Sequence, residues 1–225
     1  MKKILTTLIF LSIISCKIGE TETEKNAVQK VLDFYGGLCL KSKGFETKNG
    51  VQKNYYELVM SKSTLLNQDS NHLKSHSANI AYLFYSNLKD EKGNYNEVRV
   101  KINLENNDSE TFQYADKDLI EIENLLPKVA KITKNILQND YQTLASQFDK
   151  SFGIKKENIE ELFTSIESVN GKIKNSQFQG FVFAKTDNYG DVILIRQILV
   201  LEKVNANMLF IFNRKNKSLI RIEFP

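Results

Sequence analysis

The chain has no tryptophan, and its 225 residues hold only two prolines, two cysteines and two histidines. So few prolines exclude an extended proline-rich linker. No Gly-x-Ser-x-Gly elbow occurs, and no glycine-rich phosphate loop; the ten glycines read as turns and caps. No apolar run reaches the roughly 20 residues that cross a bilayer. Basic residues number 31 against 27 acids. They are interspersed, as in Lys89-Asp90-Glu91-Lys92 and Lys155-Lys156-Glu157. Without a positive stripe, nucleic acid is excluded as a partner, and the charges read as solvated faces.

What is present begins at the N-terminus. Lys2 and Lys3 precede an apolar run from Ile4 to Ile14, followed by Ser15 and Cys16. A basic start, an apolar core and a small residue at a cut site make a secretory signal over 1–15. The order Ser15-Cys16 resembles the bacterial lipoprotein signal. That resemblance implies that Cys16 becomes the new N-terminus and carries acyl chains such as palmitate. Ile13 stands where the family pattern has leucine more often. Lys17 follows the cysteine, where enteric lipoproteins kept in the inner membrane carry aspartate. The implied location is the cell envelope, lipid-anchored in the outer membrane through Cys16. Loss of Lys2 and Lys3 with the signal leaves the charge nearly balanced.

Residues 16–26 are polar and rich in glutamate, and the expectation is a flexible tether. An α+β fold of two small units is expected beyond it, over 27–116 and 117–225. In the first unit Ala27, Val28, Val31, Leu32 and Tyr35 share one helix face, and Gly36-Gly37 ends it. Residues 41–53 read as a loop or hairpin, and Tyr55 to Ser61 as a strand. Leu65 to Ser77 reads as irregular. Asn79 to Leu88, dense in apolar and aromatic residues, reads as a buried strand. Val98, Val100, Ile102 and Leu104 alternate with polar residues as a half-buried strand does. Thr111 to Ala115 completes an antiparallel meander.

In the second unit Leu119, Ile122, Leu126, Val129 and Ile136 mark a helical face. Pro127 should interrupt it, since an interior proline costs about 3 kcal/mol. Tyr141 to Phe148 is a further helical piece. Ile159, Leu162, Phe163 and Ile166 mark a helix that Gly171 stops. Four strands follow: Phe178 to Ala184, Val192 to Val204, Met208 to Phe212 and Ser218 to Phe224. Val192 to Val204 is apolar on both faces, as a central strand is. Each unit is thus a helix followed by an antiparallel sheet. Element order, with the stretch Asn139-Asp140-Tyr141…Phe148…Ile159…Phe163, makes the second unit resemble cystatin-like, nuclear-transport-factor-like domains. That likeness implies a curved sheet wrapping a helix into a cone. The whole chain resembles uncharacterised two-domain lipoproteins of Gram-negative bacteria, which implies an address and no activity.

The candidate chemistry is sparse. His72 and His76 are spaced as zinc ligands on a helix would be, with Asp69 as a third. No apolar helical face surrounds them, so they read as solvated loop histidines and no metal or cofactor is expected. Glu121/Glu123 and Glu160-Glu161 point in different directions on a helix and read as solvated. Tyr82, Phe84 and Tyr85 read as core rather than as a stacking platform. With Cys16 assigned to lipid, Cys39 is alone and reads as a small buried residue beside Leu38 and Leu40. The expectation is a non-catalytic module that binds a protein, a glycan or an apolar ligand. The alternatives are an enzyme acting on a small molecule in a cone-shaped pocket of the second unit, and a structural envelope component.

Overall fold

Thr21 starts the first helix with a capping box. Its hydroxyl accepts from the Glu24 amide at 3.1 Å, and the Glu24 carboxylate accepts from the Thr21 amide at 3.4 Å. The computed structural model describes residues 19–225. The expected signal over 1–15 and the expected lipid site Cys16 lie outside the described residues. Of the tether expected over 16–26, Glu22 to Asn26 are already helical, in α1 (Glu22–Tyr35). The reason is a set of partners far along the chain. Glu24 is 1% exposed. It accepts from Lys41 Nζ at 2.5 Å, from Lys43 Nζ at 2.6 Å and from the Tyr56 hydroxyl at 2.6 Å.

A hairpin follows, β1 (Leu38–Lys48) and β2 (Val51–Ser61). Asn49 and Gly50 turn it with positive φ. The chain then runs through α2 (Thr64–Gln68), a 3-10 turn (Ser70–His72) and α3 (Leu73–Ser86). So the strand expected at Asn79–Leu88 is a helix through Ser86, and the irregular stretch expected at 65–77 holds α2 and the start of α3. α3 is buried nearly all round: Ser75, His76, Ser77, Ala78, Asn79, Ile80 and Ala81 are consecutive buried residues. A helix covered on every side loses the 3.6-residue alternation that marks a surface helix, so its pattern cannot be told from a buried strand.

That helix changes the sheet. β3 (Glu97–Asn103) pairs with β2 in parallel, because α2 and α3 carry the chain back between them. β4 (Ser109–Ala115) pairs antiparallel with β3. The first sheet therefore runs β1-β2-β3-β4 with one parallel pair, where a wholly antiparallel meander was expected.

α4 (Asp116–Leu137) passes through Pro127 as a single element. Its buried face, Leu119, Ile122, Leu125, Val129, Ile132 and Ile136, continues on both sides of the proline. Packing along that face outweighs the lost hydrogen bond, so the expected interruption does not occur. α5 (Tyr141–Ala145) and α6 (Lys156–Asn170) follow, and Gly171 ends α6 with φ +79°. The second sheet is an antiparallel meander of β5 (Ile173–Thr186), β6 (Gly190–Leu201), β7 (Asn205–Asn213) and β8 (Leu219–Glu223). The fold is α+β, with helices before each four-stranded sheet.

One hydrophobic cluster joins the two sheets. It contains Val31 of α1, Leu58 of β2 and Phe84 of α3, and also Phe181 of β5 and Phe210 of β7. The halves pack tightly at Gly180, where a bulge interrupts the β5–β6 register. Gly180 has φ +127°, and a Cβ there would lie 2.1 Å from the Ser75 carbonyl oxygen of α3. Gly180→Ala should therefore push α3 off β5. The expected cost is on the order of 2 kcal/mol or more, a fall in melting temperature of about 5 °C. An unchanged melting curve would contradict this packing.

Candidate functional site

The approach of Ser75 to Gly180 has a second effect. Gly180 lies across the strand pair from Arg196 of β6, so the start of α3 and the turn before it are brought onto that arginine. Asp69, the residue closing α2, faces three donors. His72 Nδ1 is 2.5 Å from Asp69 Oδ1. His76 Nε2 is 2.8 Å and Arg196 Nη2 2.9 Å from Asp69 Oδ2. A carboxylate only accepts, so both imidazoles present an N–H to Asp69. Burial alone would raise the Asp69 pKa. The hydrogen bonds from His72, His76 and Arg196 outweigh it and hold the carboxyl at about 2. His76 is 1% exposed, and burial pushes its pKa down against the pull of Asp69, which keeps it neutral near pH 7.

These positions correct the sequence expectation. His76 is a core residue on a helix, and only His72, 47% exposed, meets solvent. Asp69, His72 and His76 do come together, but both ring N–H groups point at the carboxylate and not at a common centre. Among the described residues no group of three His, Cys, Asp or Glu has metal-holding geometry.

Arg196 holds the constellation from the other half. Its Nη2 also donates to Asn207 Oδ1 at 3.0 Å, and its Nε to the same oxygen at 3.3 Å. Its Nη1 is buried with no hydrogen-bond partner among the described residues. Beside it lies a cavity of about 200 Å³. Val182, Leu194, Met208 and Leu209 form its apolar wall; Arg196, Asn207, His72 and Ser75 are polar residues of its lining, and Pro225 also borders it. Ser75 Oγ donates weakly to the Gln179 carbonyl at 3.5 Å and makes no hydrogen bond to His72. The serine is therefore not coupled to the histidines, as an activated nucleophile would be.

Sequence reasoning missed Arg196 and Asn207. The available signal was a lone arginine inside a strand apolar on both faces, since such a charge needs a partner to be buried. Other expected residues fall as follows. Phe84 and Tyr85 are core, and Tyr82 meets Phe178 edge-on at 5.7 Å. Cys39 is half-buried, with its thiol pushed up to about 12 by burial; Leu38 and Leu40 beside it are exposed, not buried with it. Glu121 is not freely solvated: it pairs with Arg214 at 2.7 Å and with Lys217. Glu123 pairs with Lys92 at 2.6 Å, and Glu160 with Lys156 at 3.3 Å. A broader groove of about 370 Å³ runs between α4 and the second sheet, lined by Leu126, Val129, Phe178 and Gln197 among others. Gln197 there accepts from Thr133 at 3.4 Å and from Ser176.

Among the described residues no helix is long and apolar enough to cross a membrane. Comparison with protein-family models, with curated proteins and with solved structures returns no match. Fold and site together define the class: an α+β protein with an aspartate-centred ion cluster beside a largely apolar cavity, where the start of α3 meets the second sheet.

The cluster makes stability depend on pH. His76 has a folded pKa below its ordinary 6.5, so the unfolded chain takes up a proton that the folded chain refuses. Stability from this source is full above about 6.5 and falls as pH drops below it. Asp69 adds a second loss as pH falls from its ordinary 3.8 through about 2. The melting temperature should thus decline already between neutral pH and about pH 5, and His76→Gln should flatten that limb. A flat wild-type profile over this range would contradict the burial of a neutral His76.

Proposed function

We propose that this chain is a bacterial envelope lipoprotein, anchored in the outer membrane by lipid on Cys16, whose folded part is a non-catalytic binding module. The anchoring rests on the N-terminal order of basic, apolar and small residues before Cys16. The binding role rests on one observation, the state of the Asp69 cluster. His72, His76 and Arg196 each donate to the one carboxylate of Asp69, and Ser75 is bonded elsewhere. Such a cluster fixes a cavity wall in place. It offers no activated nucleophile. The interspersed charges of the sequence support a reading without a nucleic-acid partner.

Metabolic labelling with a fatty-acid analogue tests the anchor. The wild-type chain should take up label and fractionate with membranes, and Cys16→Ser should do neither. An unlabelled wild-type chain would contradict the anchoring. Turnover of a chromogenic ester by the purified protein, lost in Ser75→Ala, would contradict the non-catalytic reading and favour the enzyme alternative.

A further inference from the structure

The hairpin of β1 and β2 is longer than the sheet it belongs to. β3 pairs with β2 only from Tyr55 to Met60, whereas β1 and β2 stay paired out to Lys48 and Val51. The Asn54 carbonyl accepts from the Asn96 amide, and the Asn54 amide donates to Asn96 Oδ1, each at 2.9 Å. Beyond this tie to β3, residues 45–53 are exposed throughout. Two large apolar side chains stand in that stretch, Phe45 at 68% exposure and Val51 at 60%. The register puts them on opposite faces of the ribbon. Lys48 and Lys53 are exposed beside them, and the nearby acid Glu46 is taken by Arg99 at 2.6 Å. The root of the ribbon is stiff. The Tyr55 ring lies where a Cβ on Gly44 would be, and the Arg99 guanidinium stacks on that ring at 3.7 Å.

The ribbon points from the end of the molecule at which α1 begins. The C-terminal end of α1 leads through Gly36-Gly37 into β1, so the helix runs back along the strand. At its N-terminal end Glu24 meets Lys41 and Lys43, and Glu20 meets Lys41 at 3.4 Å. From Lys43 the strand continues to Lys48, about 17 Å past that level. Between Gly19 and Cys16 the chain can span no more than about 11 Å. A lipid on Cys16 would thus hold the start of α1 close to the bilayer, at the end from which the ribbon projects.

We propose that the tip of the β1–β2 ribbon, residues 45–53, is a second membrane contact, with Phe45 and Val51 in the interface of the bilayer that holds Cys16 and Lys48 and Lys53 on its lipid phosphates. This inference rests on the reading of Cys16 as a lipid anchor. Apolar side chains on both faces suit a medium that surrounds the tip; a protein lying along the ribbon would cover one face. The tip needs little affinity of its own, because the anchor makes its contact intramolecular. One contact lets the folded part turn on the membrane, and two fix which side of it faces away.

The absence of tryptophan makes the contact measurable. Phe45→Trp adds a single reporter at an exposed position, and Leu137→Trp adds one at the far end of α4, about 30 Å along the helix from Asp116. Each full-length, acylated variant is reconstituted into vesicles of phosphatidylethanolamine and phosphatidylglycerol in which part of the lipid is brominated on its acyl chains. Phe45→Trp should lose about half of its emission to the bromine, as an indole seated at the interface does, and Leu137→Trp should keep its own. Adding Val51→Asp to Phe45→Trp should restore most of the lost emission. No quenching of Phe45→Trp in a chain that carries fatty-acid label would overturn the tip contact and leave the anchor standing. Equal quenching of Leu137→Trp, or quenching that Val51→Asp does not relieve, would also overturn it. A blue shift of Phe45→Trp that grows with protein concentration, in the unacylated Cys16→Ser chain without vesicles, would make a second copy the occupant and overturn the membrane. A chain without fatty-acid label would overturn the anchor and the tip contact together, so the labelling tells the two failures apart.

Discussion

The contact of α3 with β5 at Gly180 is the constraint on which the rest of the structure depends. A carbonyl of α3 occupies the space where any other residue would carry a side chain. Ser75, Ser77, Ala78 and Ala81 keep the helix narrow enough to be buried on every side. One side of it meets α1 and the first sheet, and another meets the second sheet. From that placement follow the core shared by both sheets, the parallel β2–β3 pair and the meeting of Asp69 with Arg196.

Two ion clusters hold elements that hydrophobic burial alone would leave loose. Glu24, with Lys41, Lys43 and Tyr56, fixes the first helix to the first sheet. Burial would raise its pKa, but its hydrogen bonds bring the carboxyl to about 2. Asp69, with His72, His76 and Arg196, ties the first half to the second. Removing one partner of such a buried set typically costs about 3–5 kcal/mol, because the remaining charge is stranded. The clusters differ in what they leave over. The Glu24 set is closed, with a lysine on each carboxylate oxygen, whereas the Asp69 set leaves Arg196 Nη1 buried without a partner.

Much of the fold was legible because local patterns agreed with their surroundings. The alternation Val98, Val100, Ile102 marks β3, whose two faces differ. The run Ile159 to Ile166 marks α6, and Gly171 stops it with the positive φ that glycine tolerates. The four C-terminal strands follow their turn residues. What was not legible depends on distant partners. α3 has no polar face, so its period is hidden. Pro127 signals a break that the continuous face of α4 overrides. Helix α1 begins early because Glu24 finds lysines 17 and 19 positions away. The site was half legible: Asp69, His72 and His76 could be named from their spacing, but Arg196 and Asn207, more than 100 residues on, are joined to them only by the fold.

The central claim is that α3 makes one cooperative unit of the two sheets. The absence of tryptophan allows a direct measurement. Phe34→Trp places a reporter in α1, and Phe148→Trp places one beside the second sheet; both positions are partly buried against the common core. Unfolding each variant in urea, and comparing tryptophan fluorescence with far-ultraviolet circular dichroism, follows each half separately. The account predicts one transition in both variants, with coincident midpoints by both probes. Two transitions, with the halves unfolding at separate denaturant concentrations, would contradict it.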